Sequence, residues 1–150
     1  MIIRFLSLFL LTSVLTSFSP VPNDTEKECA LSVEIKNVRN KDGVLYVFLY
    51  NYENQYPDNP YKHLTIDKSN IVNERILINL NGLAPGRYAV SILDDENINE
   101  DMDFFLGIPT EGYGFSNNVR PWLSLPDYSD LLIDLNEVHK KINISLHYIL

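Results

Sequence analysis

Residues 30–50 read ALSVEIKNVRNKDGVLYVFLY, and they contain two different kinds of strand with a turn between them. In the first part Leu31, Val33 and Ile35 alternate with Ser32, Glu34 and Lys36. That is the period of a strand with one face buried and the other in water. Asn40-Lys41-Asp42-Gly43 follows, and Asp-Gly is the strongest short cue for a hairpin. Residues 44–50, VLYVFLY, favour β structure without a polar interruption. Such continuity predicts a central strand covered on both faces.

The alternation returns further along the chain in residues 75–80, 87–94, 130–135 and 141–149. In the second of these Tyr88, Val90 and Ile92 share one face, with Ala89, Ser91 and Leu93 opposite. In the last, Ile142, Ile144, Leu146 and Tyr148 alternate with Lys141, Asn143, Ser145 and His147, so His147 is expected to face solvent. Residues 81–86, NGLAPG, are a turn signal, with Pro85-Gly86 suited to the centre of a type II turn. Residues 51–73 hold Tyr52, Tyr56 and Tyr61 among Asn, Asp, Pro57 and Pro60, and they read as a loop or short extended excursion. Its tyrosines either cover a sheet edge or offer stacking faces to sugar rings. No stretch carries a helical period long enough to use. The expected fold is all-β, a single antiparallel β-sandwich of about seven strands, transthyretin-like or immunoglobulin-like, because one-faced sheets must bury their apolar sides against each other. A small barrel is the alternative.

The chain has 150 residues, a length that fits one domain, and 45% of them are hydrophobic, which is ample for a core. Its net charge of −8 repels phosphate backbones and argues against a nucleic-acid partner, while it suits cations. With one cysteine there is no internal disulfide, and Cys29, at the start of the first strand, is expected to be a small buried residue. Residues 1–19 read as a secretory signal peptide, with Arg4 as the positive start and residues 5–15 as the apolar stretch. That stretch falls short of the roughly 20 residues a membrane span needs. The expected product is therefore a secreted or periplasmic domain of residues 29–150 with no stable membrane span once the leader is removed. Lys27 and Glu28 before Cys29 do not fit a lipoprotein signal.

Residues 93–118, LDDENINEDMDFFLGIPTEGYGFSNN, carry the candidate site. Asp95, Asn97, Asn99, Asp101 and Asp103 place an oxygen-bearing side chain at every second position. Alternate ligands on a curled loop can converge on calcium, which takes six to eight oxygens. The first three match the opening half of an EF-hand loop, but Glu100 stands at its glycine position and Leu106 at its last, so this is not an EF-hand. Asp101, Asp103 and Glu111 would have to complete the shell. The other reading is an acidic loop held by Asx-turn hydrogen bonds, which Asp and Asn also favour, and the two stand side by side. In the glycine-rich half, Tyr113 and Phe115 are expected to pack inward, and Ser116 lacks a nucleophile-elbow context.

Three stretches together, Leu83-x-Pro85-Gly86-x-Tyr88-Ala89-Val90, Asp94-Asp95-Glu96-Asn97 and residues 107–118, resemble the small secreted bacterial proteins of domain-of-unknown-function family 2141. Gly43-x-Leu45-x-Val47 and Tyr56-Pro57 fit the same pattern, so the resemblance spans nearly all of residues 31–148. It implies export and a β-sandwich, with no established activity. The family's usual acidic loop is similar to Asp-Glu-Asn-Gly-Asn-Gly-Lys-Leu-Asp; here Ile98 and Glu100 replace the glycines and Asp101 the lysine. The leading expectation is an exported, non-enzymatic module that binds an extracellular or envelope ligand, with calcium as the cofactor its loop would take. The alternatives are an enzyme or accessory subunit acting on an extracellular glycan or envelope polymer, and a structural component of the envelope.

Overall fold

The computed structural model describes residues 28–121 and 124–150; the expected leader lies outside the described residues. The chain is all-β. Its strands are β1 (Cys29–Lys36), β2 (Val44–Tyr50), β3 (Lys62–Asp67), β4 (Arg75–Leu83), β5 (Gly86–Asp95), β6 (Phe104–Phe105), β7 (Ile108–Pro109), β8 (Gly112–Phe115), β9 (Ile133–Leu135) and β10 (His139–Ser145). One sheet has the order β10-β1-β4 and the other β3-β2-β5-β8, with β9 also paired to the start of β5. β6 and β7 form a separate small hairpin.

The main core is what the alternation predicts. Leu31, Val33 and Ile35 of β1 face Leu45, Val47 and Leu49 of β2 and Val90 and Ile92 of β5, all buried in one cluster with Ile144 and Leu146. A second cluster of Tyr50, Ala89, Phe115 and Leu131 covers the outer face of the second sheet. That cover explains the unbroken apolar run of β2. Leu45, Val47 and Leu49 fill the core, while Phe48 and Tyr50 turn outward beneath Tyr56, Val119 and Tyr128. Cys29 is a free, buried residue, as expected.

Three expectations are corrected and one is resolved. The Asp42-Gly43 turn does not make a hairpin: β1 pairs with β4 and β10, β2 with β3 and β5, so the connection crosses from sheet to sheet. Residues 51–73 hold the extended excursion that was one of their two readings: β3 lies within them as an edge strand with four of its six residues exposed and none buried. Tyrosines and prolines before it masked its short alternation. Gly86 is not left-handed, so Pro85-Gly86 is not a type II turn; the left-handed glycine nearby is Gly82, φ 67°, inside β4 where its register against β1 shifts. His147 is half-buried rather than free in solvent, edge-on to Tyr113 with ring centroids 5.6 Å apart. Main-chain bonds between Tyr113 and His147 draw the chain after β10 across to β8 and tie the two sheets together along that side.

Candidate functional site

β5 feeds the acidic loop, and the loop is anchored at its root by buried charge. Asp94 continues the inward phase of Tyr88, Val90 and Ile92, so its carboxylate points into the molecule and is fully buried. It meets Lys68, also fully buried, at 2.5 Å. Lys68 Nζ donates as well to Asn40 Oδ1 at 3.0 Å and to the Asp42 carbonyl at 2.6 Å, so all three of its protons are used. The Tyr148 hydroxyl donates to the other oxygen of Asp94. Burial pushes the Asp94 carboxyl above its ordinary range, against the pull of Lys68 and Tyr148. A carboxylate at an inward strand position requires a buried partner. The sequence therefore carried a signal for Asp94, but none for Lys68, which sits in a polar run.

Gly112 makes room for this network. A Cβ at that position would strike the Tyr148 ring, which lies against its backbone. Arg39 closes the outer side, with its guanidinium 4.6 Å from the centre of the Tyr148 ring. It grips Glu96 with Nε at 2.6 Å and Nη2 at 2.9 Å, and reaches the Thr110 carbonyl and a main-chain oxygen of Leu150. That fork holds the Glu96 carboxyl below its usual range.

The loop then winds around Asp95. Asp95 Oδ1 accepts from the backbone N–H groups of Asn97, Ile98 and Asn99 at 3.3, 2.7 and 3.3 Å, and Oδ2 accepts from Glu100 N–H at 2.8 Å. The carboxylate is fully buried, and four N–H dipoles compensate its charge. Glu111, almost as buried, spans the root of the loop by accepting from Glu96 N–H and Asp103 N–H. Burial raises its carboxyl, with those two donors working the other way.

Of the five candidate ligands, Asn97, Asn99 and Asp103 converge. Asn97 Nδ2 donates to Asp103 Oδ2 at 2.6 Å and Asn99 Nδ2 to Oδ1 at 3.0 Å. Asp95 lies inside the curl, turned to the backbone, and Asp101 is exposed at the rim, its own N–H bonded to Asn99 Oδ1. Among the described residues, no group of three or more His, Cys, Asp or Glu side chains is placed to hold a metal.

A family model described as an uncharacterized protein conserved in bacteria, DUF2141, matches residues 33–143. The chain belongs to this family. No curated protein and no solved structure matches. Two backbone angles bear on the glycine pattern that the resemblance implies: Ile98 and Glu100, which stand at its two glycine positions, hold φ of 61° and 69°. The chain keeps the wound shape without the residues that adopt it freely, and for a β-branched side chain this is a strained conformation.

Beyond the wound part the loop ends in the β6–β7 hairpin, turned through Leu106 and Gly107 at φ 50° and 81°. Phe104 and Phe105 are each 61% exposed and Leu106 87%, with Ile98 and Ile108 also open. Met102, Phe104, Pro109, Tyr113 and Leu125 line an apolar recess beside it. The tip carries no ligand spacing to single it out, although Phe104-Phe105-Leu106 ahead of Gly107 is visible in the chain.

Proposed function

We propose that this DUF2141 chain is an exported, non-catalytic β-sandwich module that docks onto a protein partner through the tip of its acidic loop. The observation that carries the reading is the exposed apolar hairpin of Phe104, Phe105, Leu106 and Ile108 on a root whose buried polar groups are bonded. A contiguous exposed apolar patch marks an interaction site more often than a stability device. Rim acids choose the occupant. Glu100, Asp101 and Asp103 flank the tip in a chain of net charge −8, so the complementary surface is an apolar pocket of an envelope protein ringed by Lys and Arg. An anionic bilayer would be repelled.

A photo-crosslinker at Phe105 of the mature protein, in cells of the source bacterium, tests this. One specific protein adduct is expected, weakened by salt and abolished by Asp101→Lys with Glu100→Lys, and the purified pair should reassociate with the same dependence. Adducts to lipid, to a second copy, or to many proteins regardless of charge overturn it.

Calcium is the finer part of the proposal. Support comes from Asn97, Asn99 and Asp103, which already lie together. Turning the two amides over would present their carbonyl oxygens, with Asp101 adding charge from the rim. A cation must outbid the amide donors that hold Asp103, so the expected affinity is weak. Millimolar calcium should raise the melting temperature by several degrees and magnesium by less, because magnesium demands stricter octahedral geometry. Asp103→Ala should remove the shift. No calcium uptake by titration calorimetry means the loop is a hydrogen-bonded turn alone.

A further inference from the structure

Among the described residues one sheet ends in β10 and β4 and the other in β3 and β8, and most of these edges are closed by hydrogen bonds. Asn118 covers β10, donating from Nδ2 to the Asn143 carbonyl at 3.0 Å and accepting from Ser145 N–H at 2.8 Å. Tyr113 of β8 exchanges main-chain bonds with His147. β4 is held at both ends: Arg75 exchanges main-chain bonds with Val72, and Lys62 Nζ donates to the Asn81 carbonyl. β3 is open, with none of its residues buried. An unprotected edge strand is a template for another chain.

The ladder fixes which groups of β3 are free. Tyr113 turns its N–H and C=O to His147, away from Leu93 opposite it on β5. Bonded and non-bonded pairs alternate in an antiparallel ladder, so Leu93 turns to Tyr46 on β2, and Thr65, opposite Tyr46, turns outward. The Val90 N–H, on the other phase of β5, goes to Ser116 Oγ rather than to β2, as this pattern requires. His63 and Asp67 share the phase of Thr65, so the main-chain groups of all three residues point off the sheet. Leu64 and Ile66, on the intervening phase, pack against the main core.

We propose that β3 pairs antiparallel with β3 of a second copy, about a two-fold axis that passes between the two Thr65 residues. A two-fold axis normal to the sheet sets some residue opposite itself, and with Thr65 in that place every free group is used. Thr65 meets Thr65 and His63 meets Asp67 on either side, each as a bonded pair exchanging N–H···O bonds in both directions. The side chains agree with this register. Asp67 Oδ1 accepts from Ser69 N–H, which leaves Oδ2 for the His63 ring of the second copy. Leu64 meets Ile66 and extends the apolar face across the junction. Asp67 lies beside Val44 and Asp95, so the antiparallel arrangement sends the two acidic loops to opposite ends and keeps their charges apart. The match is with the strand's own sequence reversed, and that selects a second copy over a foreign strand.

Sedimentation velocity of the mature protein tests this. The junction is short, so a concentration-dependent dimer with a dissociation constant on the order of 10–100 μM is expected. His63→Asp sets like charges opposite each other twice and should weaken the dimer about tenfold, while His63→Lys should leave it as tight or tighter. Cysteine cross-linking reads the register. Thr65→Cys places the two thiols on Cα atoms about 5.5 Å apart, within disulfide reach, and should give a covalent dimer on mild oxidation. His63→Cys places them roughly 14 Å apart and should not. Cys29 is buried and stays out of the reaction. Both substituted positions are exposed, so the variants should melt near the wild-type temperature. Asp101→Lys with Glu100→Lys, which tests the tip, should leave the dimer in place and so keeps the two results apart. A monomer at every concentration up to about 500 μM, a dimer indifferent to His63→Asp, or cross-linking by His63→Cys in place of Thr65→Cys overturns the proposal.

Discussion

Ile98 is the residue at which the acidic loop is most plainly under strain. Its φ of 61° costs an L-residue roughly 1–2 kcal/mol, and its side chain is 60% exposed, so little packing offsets the cost. Part of the penalty is absorbed by its own N–H, 2.7 Å from Asp95 Oδ1. Ile98→Gly should therefore stabilise the protein by about 1 kcal/mol in urea melts, with the left-handed turn kept and the greater freedom of the unfolded glycine subtracted. A loss of stability would mean that the Ile98 side chain contributes packing worth more than the strain. Asp95 is the counter-case on the same turn. With four backbone donors on one buried carboxylate, Asp95→Ala should unravel the loop and lose about 3 kcal/mol or more in the same assay, since each orphaned N–H costs on the order of 1 kcal/mol.

At the scale of elements, Lys68 pins β3, β5 and the β1–β2 connection at one point. Removing one partner of a buried pair leaves the other charged in an apolar site, so Lys68→Met should cost about 3–5 kcal/mol by chemical denaturation. Lys68→Met with Asp94→Leu should be less damaging than the single change, because no lone charge remains; a double variant as weak as the sum would place the value of Lys68 in its bonds to Asn40 and Asp42. The strands themselves were legible wherever apolar residues recur at every second position. Leu31, Val33 and Ile35 announce β1, and Tyr88, Val90 and Ile92 announce β5, because period two reports burial directly. Pairing was not legible. The Asp42-Gly43 turn has the chemistry of a hairpin, yet its strands separate into different sheets, a choice made by long-range packing that no local residue encodes. In the candidate site, spacing singled out Asp95, Asn97, Asn99, Asp101 and Asp103, of which Asn97, Asn99 and Asp103 lie together. Lys68 was not singled out, since a lysine in a polar turn looks the same whether its ammonium meets water or Asp94.

Across the whole molecule the charged groups divide by the direction of their shifts. Glu96 is held below its ordinary 4.5 by Arg39, so the pair contributes its full stability above that pH and loses it as pH falls through the lowered folded value. The difference in melting temperature between wild type and Arg39→Ala should thus be constant from neutrality to about pH 5 and shrink on further acidification. The Arg39 bond to the carbonyl of Thr110 leaves a remainder that does not titrate. A difference that grows in acid would contradict the pairing. Asp94 and Glu111 work the other way: burial raises their folded values, so their contribution is largest in acid and declines as pH rises from the ordinary carboxyl range through the raised one. The parallel pairing of β1 with β10 has a consequence of another kind. Asn37 binds the Leu146 carbonyl across 109 positions of chain, and Ala30 lies opposite His139. The first strand thus waits for the last, and a topology so dominated by distant contacts folds slowly. Any process that delivers the polypeptide end-first, whether a ribosome or a narrow pore, handles an unfinished sheet until the final strand arrives. A chain ending at Val138 should accordingly show no native near-ultraviolet dichroism, however long it is left to fold.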